Sequence, residues 1–247
     1  MTKSPEMMLE PQTAPGRLAG EPRTGIPTLT RLAPFDVLYE IGRGSKTPLP
    51  PELAALYGPL RLPSCLGRPL IIGNFVGTLD GVVSLNLPGN SGGGPISGNN
   101  AHDRMTMGIL RAVADAIIVG AGTLRAEPRH HWTAAHVAPQ FAAAYQALRA
   151  NLGKADQPTT VVVSASGDID LRLPVFQSGE TPALIVTTAR GAARMGSRAM
   201  PRSTHVLIVP GAGRLSARDI LRAVGRACPG ETILIEGGPR LMGSFFA

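Results

Sequence analysis

The stretch Val113–Pro128 constrains the fold most, because it holds a buried strand, a glycine turn and a group of polar side chains in that order. Its apolar run, Ile117–Val119, is continuous and is bounded by Gly120. This pattern is typical of a strand that is buried on both faces of a parallel sheet. Such strands present ligand-binding groups at their carboxyl ends. We therefore expect the residues after Gly120 to contribute to a binding site.

The turn after this strand carries the groups that a polar ligand needs. Gly120 and Gly122 have no side chains, so a ligand is able to approach the backbone. Thr123 supplies a hydroxyl, Arg125 a fork of donors and Glu127 a carboxylate. The glycines alone fit a tight strand-to-helix turn equally well, so both interpretations stay open at this point.

The same alternation of strand and helix continues along the chain. Apolar, β-branched runs predict strands, and stretches of helical period with capping residues predict helices. The alternation predicts an α/β fold, a three-layer α/β/α domain with a mostly parallel sheet. A further short strand, Val82–Leu85, is expected across the Asp80-Gly81 turn. The other predicted strands begin near 70 and cover 117–119, 159–163, 183–187, 205–209 and 232–235; the predicted helices cover 101–113, 138–150, 189–200 and 216–227, with a last one starting at 239.

The 247 residues divide into three predicted parts. Residues 1–34 are rich in proline without an apolar period, which predicts a disordered tail. Residues 35–67 form an N-terminal arm, with a short helix between Pro51 and Gly58. Residues 68–247 form the main domain, and the glycine-rich loop over 87–100 is either an active-site flap or a linker. The last helix is cut short by the end of the chain, so we expect either a truncated domain or completion by another subunit.

Composition narrows the function classes. The formal net charge is +7, but the 24 basic residues are scattered and only 4% of residues are aromatic, which argues against a nucleic-acid partner. The two cysteines lack CxxC spacing, which excludes a disulfide framework and a cysteine-based zinc site and predicts a cytoplasmic location. The amino terminus lacks the apolar core of a signal peptide, and no apolar run reaches the roughly 18 residues of a membrane span. We expect a soluble protein with no membrane partner and a small anionic molecule as its ligand.

Most common catalytic motifs are absent from the sequence. There is no G-x-G-x-x-G, no G-x-S-x-G and no Tyr-x-x-x-Lys pair. Three histidines crowd one irregular segment, but no acidic or cysteine partner has ligand spacing, so we predict no metal. They are interpreted as a contact to a substrate phosphate or as surface residues. Asp80 and Glu127 remain as carboxylates at strand ends, and they are the candidate catalytic residues for proton transfer. The three histidines are His130, His131 and His136.

Six segments occur in an ordered series along the main domain. They are TLDG (Thr78–Gly81), DR (Asp103 and Arg104), LRAVADAIIVGAGTLRAEP (Leu110–Pro128), VVVSASGDID (Val161–Asp170), IVTT (Ile185–Thr188) and ILIEGGPRLMGS (Ile233–Ser244). Together they resemble the reductase domain of the bifunctional riboflavin-biosynthesis deaminase/reductase. The likeness is closer to its stand-alone relatives, the pyrimidine reductase family proteins, which have a dihydrofolate-reductase-like fold. The resemblance extends over Arg68–Ala247, and the series is far more specific than any one motif.

The resemblance implies an NADPH-dependent reduction of the ribosyl group of 5-amino-6-(5-phosphoribosylamino)uracil to a ribityl chain. It implies that Arg104 and Glu236 contact this phosphorylated substrate, since a guanidinium suits a phosphate and a carboxylate suits hydroxyl or amino groups. We add Arg190 as a candidate for the cofactor's 2′-phosphate. The implied cofactor-contacting residues are Gly77, Thr123, Glu127, Ser164, Gly238, Pro239, Arg240, Leu241, Met242, Gly243 and Ser244, to which the strand-end pattern adds Thr78, Gly120, Gly122, Thr187 and Gly237.

The chain departs from the family pattern in several ways. Gly94 and Pro95 stand in the flap where the bifunctional enzymes have a tryptophan, and Glu127 stands where they usually have aspartate. The zinc deaminase pattern is absent, so no deamination is expected. The family domain continues past Ala247 with strands that complete the sheet, so we expect a C-terminally incomplete domain and a homodimer if those strands are supplied. Two alternatives stay open: a reductase of another pyrimidine or pterin-like substrate, and a truncated, catalytically dead NADP-binding protein.

Overall fold

Short strands and helices alternate from Ser45 to Phe246. A computed structural model describes residues 32–65, 67–85, 92–196, 198–210 and 213–246. Residues 1–31, which carry most of the predicted disordered tail, lie outside the described residues, and the division into 35–67 and 68–247 stays a prediction.

The elements are β1 (Ser45–Lys46), α1 (Pro51–Tyr57), β2 (Arg61–Leu62), β3 (Leu70–Gly73), α2 (Gly94–Ser97), α3 (Ala101–Val113), β4 (Ala116–Gly120), α4 (Ala121–Ala126), α5 (Ala134–Val137), a 3₁₀ turn (Pro139–Phe141), α6 (Ala142–Asn151), β5 (Thr159–Ser164), α7 (Pro174–Gln177), β6 (Ala183–Thr188), α8 (Ala189–Met195), β7 (Thr204–Val209), α9 (Ala217–Ala227), β8 (Thr232–Ile235) and α10 (Pro239–Phe246).

Six of the strands form one sheet in the order β3-β8-β4-β5-β6-β7. Every neighbouring pair in it is parallel. β4 lies inside the sheet, because Ala116 is in register with Thr159 of β5 on one side and with Ile233 of β8 on the other. The prediction of a mostly parallel sheet is confirmed. The small sheet of β1 and β2 in the arm is antiparallel.

Alternate residues of β4 pack into different layers, which makes the domain three-layered. Ile117 and Val119 join a buried cluster on one face, to which α3 adds Leu110. Ile118 points to the opposite face and packs in the cluster that contains Val224 of α9 and Met242 of α10. Both faces of the strand are therefore buried, as the continuous apolar run predicts. Among the described residues no helix combines the length and the apolar character needed to cross a membrane.

The helix boundaries follow local capping signals. The Asn100 side chain accepts hydrogen bonds from the amides of His102 and Asp103 at the start of α3, whose bounds are those predicted. Ser216 accepts from the Asp219 amide at 3.1 Å and begins α9, as the predicted capping pair requires. The short arm helix is α1, which begins at Pro51 and ends before Gly58.

The prediction of a strand over Val82–Leu85 is wrong, because these residues form no strand in the structure. The turn that precedes it does form, with Gly81 at φ +87° and the Thr78 amide donating to the Val82 carbonyl at 2.9 Å. The hydroxyl of Thr78, however, accepts from the Val82 amide at 2.9 Å, so a side chain takes the amide that a strand ladder would use. The Val82 amide is therefore bonded within the turn, and residues 82–85 do not form the second strand of a hairpin.

Two other predictions need correction. The helix expected over 189–200 ends at Met195, because Gly196 adopts φ +62° and terminates it. The glycine-rich loop is not wholly irregular, since Gly94–Ser97 forms a short helix. Residues 87–91 of that loop lie outside the described residues.

Candidate functional site

The carboxyl ends of three adjacent strands meet at one edge of the sheet. Asn74 follows β3, Glu236 follows β8, and Gly120 is the last residue of β4. The amide of Asn74 donates to the Ile235 carbonyl at 2.9 Å, and the amide of Glu236 donates to the Ile118 carbonyl at 3.0 Å. The segments GAGT (120–123) and EGGP (236–239), which lie at the carboxyl ends of the parallel strands β4 and β8, are thereby brought side by side.

A hydrogen bond joins these two turns. The Gly238 amide donates to the Thr123 Oγ1 atom at 3.0 Å, which links α4 to the start of α10. Gly237 is required by packing, because a Cβ there would lie 2.6 Å from the Leu241 side chain. Gly122 differs, since no atom of the described residues lies within 4 Å of the place a Cβ would take. The backbone at Gly122 is therefore open to a ligand.

A buried ion pair lies beneath this edge. Arg111 of α3 donates through Nη2 and Nε to the Glu236 Oε2 atom at 2.7 and 3.0 Å. Only 1% of the Arg111 side chain and 6% of the Glu236 side chain are exposed. The Asn74 side-chain amide donates to the other Glu236 oxygen at 3.3 Å. Glu236, which the resemblance assigns to substrate, thus has protein partners on both of its oxygens.

The pair continues outward through a histidine to a carboxylate. The Arg111 Nη2 atom lies 3.0 Å from the His130 Nε2 atom, and the His130 Nδ1 atom lies 3.1 Å from the Glu127 Oε2 atom. Arg111 also donates through Nη1 to the backbone carbonyl of Thr133 at 3.1 Å, which fixes the guanidinium plane. We call the four side chains Glu236, Arg111, His130 and Glu127 the strand-end network.

Burial shifts the pKa values of two side chains in this network. It lowers the pKa of His130 to about 2, with the nearby Arg111 charge acting in the same direction, so this ring is neutral. Burial raises the pKa of Glu127, against the opposing effect of Arg111. A carboxylate with a raised pKa beside open backbone is suited to proton transfer.

The three histidines pack with each other and do not form a metal site. The rings of His130 and His136 have centroids 4.5 Å apart, and those of His131 and His136 are 5.5 Å apart. Burial lowers the pKa of His136 as well. His131 Nδ1 lies 3.3 Å from a Glu180 carboxylate oxygen, but the angles do not make a hydrogen bond. In the described ranges no group of three histidine, cysteine or acidic side chains is arranged to hold a metal ion.

Asp80 occupies a different environment from Glu127. It is fully exposed in the turn after β3, and the Thr78 hydroxyl donates to its carboxylate. This hydrogen bond lowers the pKa of Asp80. No hydrogen bond or ion pair found in the described part of the chain joins Asp80 to Glu127. Gly77 lies in the same segment, with the Val83 side chain 3.4 Å from where its Cβ would be.

Four further predicted residues lie at the ends of β5 and β6, on α8 and on α3, and the predicted residues 239–244 lie on α10. Ser164 is buried, and its carbonyl accepts from the Thr187 hydroxyl at 2.6 Å, so this hydroxyl is already engaged. Arg190 is exposed on the first turn of α8. Arg104 is exposed on α3, where its Nε atom donates to the Val137 carbonyl at 2.7 Å.

Two cavities of about 540 and 460 Å³ are found elsewhere on the described surface. The larger is lined mainly by the loop after β5, including Asp168 and Arg172, and the smaller by arm and α3 residues such as Phe35 and His102. Neither is lined by a member of the strand-end network. We therefore locate the candidate site from the chemistry of the strand-end network, and not from the volume of either cavity.

Sequence reasoning missed Arg111, which organises the network. An arginine in the last turn of a helix is normally interpreted as a surface residue that complements the helix dipole. In the structure Arg111 is buried together with Gly108, which stands three residues earlier on the same helix face. Glu236 directly follows the wholly buried strand β8, and a carboxylate in such a place needs a charged or hydrogen-bonding partner.

Comparison with known proteins agrees with this architecture. The RibD C-terminal domain family matches residues 69–247. A pyrimidine reductase-like protein from Corynebacterium diphtheriae is 22% identical, with a TM-score of 0.55 over 76% of this chain and 73% of that one. A diaminohydroxyphosphoribosylaminopyrimidine deaminase/5-amino-6-(5-phosphoribosylamino)uracil reductase from Thermotoga maritima is 19% identical, with a TM-score of 0.50 over 72% of this chain and 42% of that one.

The riboflavin biosynthesis reductase of Saccharomyces cerevisiae is 13% identical, with a TM-score of 0.47, and the match covers 70% of this chain and 64% of that chain. The chain thus spans less than two thirds of the yeast and Thermotoga proteins. No curated protein matches it. At these identities the solved structures show a shared α/β fold, and the family match covers well over half of the sequence. The chain therefore belongs to the RibD C-terminal domain family.

Proposed function

We propose that this protein is an NADPH-dependent reductase of riboflavin biosynthesis that reduces the ribosyl group of 5-amino-6-(5-phosphoribosylamino)uracil to a ribityl chain. The observation that carries the proposal is the junction at which the Gly238 amide meets Thr123 Oγ1, inside the region that matches the family. Two glycine turns and the start of a helix converge there at the carboxyl ends of parallel strands. Such junctions bind the phosphates of nucleotides.

The residues at this junction fit a dinucleotide. Space over Gly122 admits a phosphate against the backbone, and α10 begins directly after Gly238. NADPH supplies the hydride when it is bound. We assign its pyrophosphate to Gly120–Thr123 and to residues 237–244, and its 2′-phosphate to Arg190, whose exposed guanidinium suits a dianion.

The substrate faces the strand-end network in this proposal. Glu127 exchanges the proton, because burial has raised its pKa while the side chain keeps partial access to solvent. The exposed Arg104 guanidinium binds the substrate phosphate. The proposal includes a cytoplasmic, homodimeric protein, and the assembly is tested by sedimentation of the purified chain.

A second candidate is the reduction of another phosphorylated pyrimidine or of a pterin. One observation favours it: both oxygens of Glu236 are already held by Arg111 and Asn74. A carboxylate with its acceptors occupied selects the substrate's hydroxyl or amino groups less strictly than an unengaged one.

Loss of NADPH absorbance in the presence of each candidate substrate tests the proposal. We expect turnover with 5-amino-6-(5-phosphoribosylamino)uracil and none with its dephosphorylated form. Turnover with another pyrimidine or a pterin alone favours the second candidate. NADPH binding without turnover of any substrate, in a sample that melts cooperatively, contradicts both and indicates an NADP-binding protein without reductase activity.

A further inference from the structure

The side-chain amide of Asn74 has a fixed orientation beside Glu236. Arg111 donates from Nε to the Glu236 Oε1 atom at 3.2 Å and from Nη2 to the Oε2 atom at 2.7 Å. A carboxylate in such an ion pair has acceptors only. The Asn74 atom that lies 3.3 Å from Oε1 must therefore be the donor Nδ2. The carbonyl oxygen Oδ1, on the other side of the planar amide, then points away from Glu236.

This arrangement is held from the interior of the domain. The Arg111 guanidinium is anchored by the backbone carbonyl of Thr133, to which Nη1 donates at 3.1 Å. Only 1% of the Arg111 side chain and 6% of the Glu236 side chain are exposed. The backbone of Asn74 is fixed as well, because its amide donates to the Ile235 carbonyl at 2.9 Å. A chain of hydrogen bonds thus runs from the buried guanidinium through the carboxylate to the Asn74 amide.

Asn74 offers a side-chain acceptor that Glu236 does not. No described residue donates to the Asn74 Oδ1 atom, whereas both Glu236 oxygens accept from protein donors. Asn74 is also partly exposed, and Glu236 is buried. The two residues directly follow β3 and β8, at the carboxyl ends of parallel strands where ligands of α/β proteins bind. A ligand at this edge therefore reaches Oδ1 more readily than the Glu236 carboxylate.

We propose that Asn74 is a specificity-determining residue, whose Oδ1 atom accepts a hydrogen bond from an N–H or O–H group of the substrate, and that Glu236 is the positioning residue that fixes this orientation. The substrate contact rests on the proposed reductase function, whereas the orientation of the amide does not. A site built to accept such a hydrogen bond rejects an analogue without the donor, because Oδ1 is then left unpaired.

Neutron diffraction from crystals of the unliganded protein in D₂O tests the orientation directly. We expect two deuterium atoms on the Asn74 atom that faces Glu236 Oε1 and none on the atom that faces away. Deuterium on the outward atom would overturn the proposal, because Asn74 would then be a donor to the substrate. This measurement requires neither cofactor nor turnover.

The variant Asn74→Ala removes the acceptor and keeps the buried pair of Arg111 and Glu236. We expect the KM for 5-amino-6-(5-phosphoribosylamino)uracil to rise about 3- to 10-fold, as for the loss of one hydrogen bond, with the KM for NADPH unchanged. The matched control is Asn151→Ala, because Asn151 lies at the end of α6 and its side chain donates to the Pro48 carbonyl. Neither KM should change in this control.

Substrate analogues separate a direct contact from an indirect effect through Glu236. Each analogue of the series lacks one N–H or O–H donor of the substrate. We expect one of them to bind the wild type more weakly than the parent compound, and to bind Asn74→Ala as tightly as the parent does, because the contact is already absent there. Additive losses for every donor of the series would contradict a direct contact.

Turnover and binding together separate this proposal from the proposed function. If no reduction is detected, the Kd of each candidate pyrimidine and pterin is measured by calorimetry with NADP⁺ present. Turnover with equal substrate KM values in the wild type and Asn74→Ala rejects the contact alone. Binding without turnover, weakened by Asn74→Ala, rejects the reductase function alone. Absence of binding by every candidate substrate rejects both.

Discussion

An ion pair lies at each end of the central strand β4, partly buried at the amino end and buried at the carboxyl end, and the two pairs have different roles. At the amino end, Asp115 accepts from the Lys154 ammonium at 2.7 Å and from the amides of Glu231 and Thr232 at 2.9 Å each. These hydrogen bonds hold the starts of β4 and β8 together, and each of them joins Asp115 to another part of the folded domain. At the carboxyl end, the strand-end network leads from a buried pair outward to Glu127.

The same contrast separates Arg111 from Arg149, the two arginines that are buried in the described part of the chain. Arg149, which is 3% exposed, donates to backbone carbonyls, among them those of Ala112 and Ala114 at the end of α3. Arg111 instead binds a carboxylate and a histidine. Arg149 donates only to backbone carbonyls, so its role is to stabilise the end of α3. Arg111 contacts two titratable side chains at the carboxyl ends of the strands, so we assign it to the candidate functional site.

The largest effect is expected from Arg111→Met, which leaves the Glu236 carboxylate buried without its cation. We expect the free energy of unfolding, measured by urea denaturation, to fall by about 3 to 5 kcal/mol. Adding Glu236→Gln should restore part of the loss, because the buried charge is then removed. A double variant as unstable as the single one would show that the pair is not what stabilises this edge.

Asp115→Ala tests the opposite end of the sheet. It leaves two strand amides and the Lys154 ammonium without their acceptor, so we expect a loss of about 3 kcal/mol in the free energy of unfolding. At a temperature where the variant is folded, its Kd for NADPH should equal that of the wild type. A weakened Kd would mean that the amino end is not purely structural.

Arg190→Ala tests the assignment of the 2′-phosphate. Loss of a charge-assisted contact should weaken NADPH by about 1.5 to 3 kcal/mol and leave NADH unchanged. Calorimetric titration with both dinucleotides gives the comparison. Equal weakening of the two would remove Arg190 from this role.

The pH dependence of stability should report His130. Its pKa is near 2 in the folded protein and 6.5 when unfolded, so below pH 6.5 the unfolded chain takes up a proton that the folded one does not. Stability is therefore complete above pH 6.5 and declines as the pH falls. Relative to His130→Asn, the wild type should lose about 1.4 kcal/mol per pH unit, or about 2 kcal/mol by pH 5. Glu127, with a raised pKa, acts in the opposite direction in both proteins, and parallel stability curves would contradict the assignment.

The smallest effect is expected from Gly122→Ala. The added methyl group meets no atom of the described residues within 4 Å, so the free energy of unfolding should stay constant or rise slightly. If a phosphate approaches this backbone, the Kd for NADPH should rise about tenfold, or about 1.4 kcal/mol. Gly225→Ala in α9 has equal room and should stabilise the fold by about 0.5 to 1 kcal/mol without changing NADPH binding. The same Kd in both variants would argue against a phosphate at Gly122.

The parts of this fold that depend on local signals were predictable from sequence. Helix α3 begins after the cap Asn100 and has an apolar face, and the turn at Gly120 was expected because this glycine directly follows a continuous apolar run. The network was not predictable, because Arg111 and Glu236 are 125 positions apart and pair only after three elements have packed. The strand predicted over Val82–Leu85 failed for a local reason, since the Thr78 hydroxyl accepts from the Val82 amide that a strand ladder would use.

The central claim is that the carboxyl edge of the sheet binds NADPH. Titration of the wild-type protein with NADPH, followed by tryptophan fluorescence, tests it most directly, because Trp132 is the single tryptophan and packs 5.0 Å from the His130 ring. We predict saturable quenching by energy transfer to the reduced nicotinamide, with a parallel rise in Tm. Unchanged fluorescence and an unchanged Tm at saturating NADPH concentrations would contradict the claim.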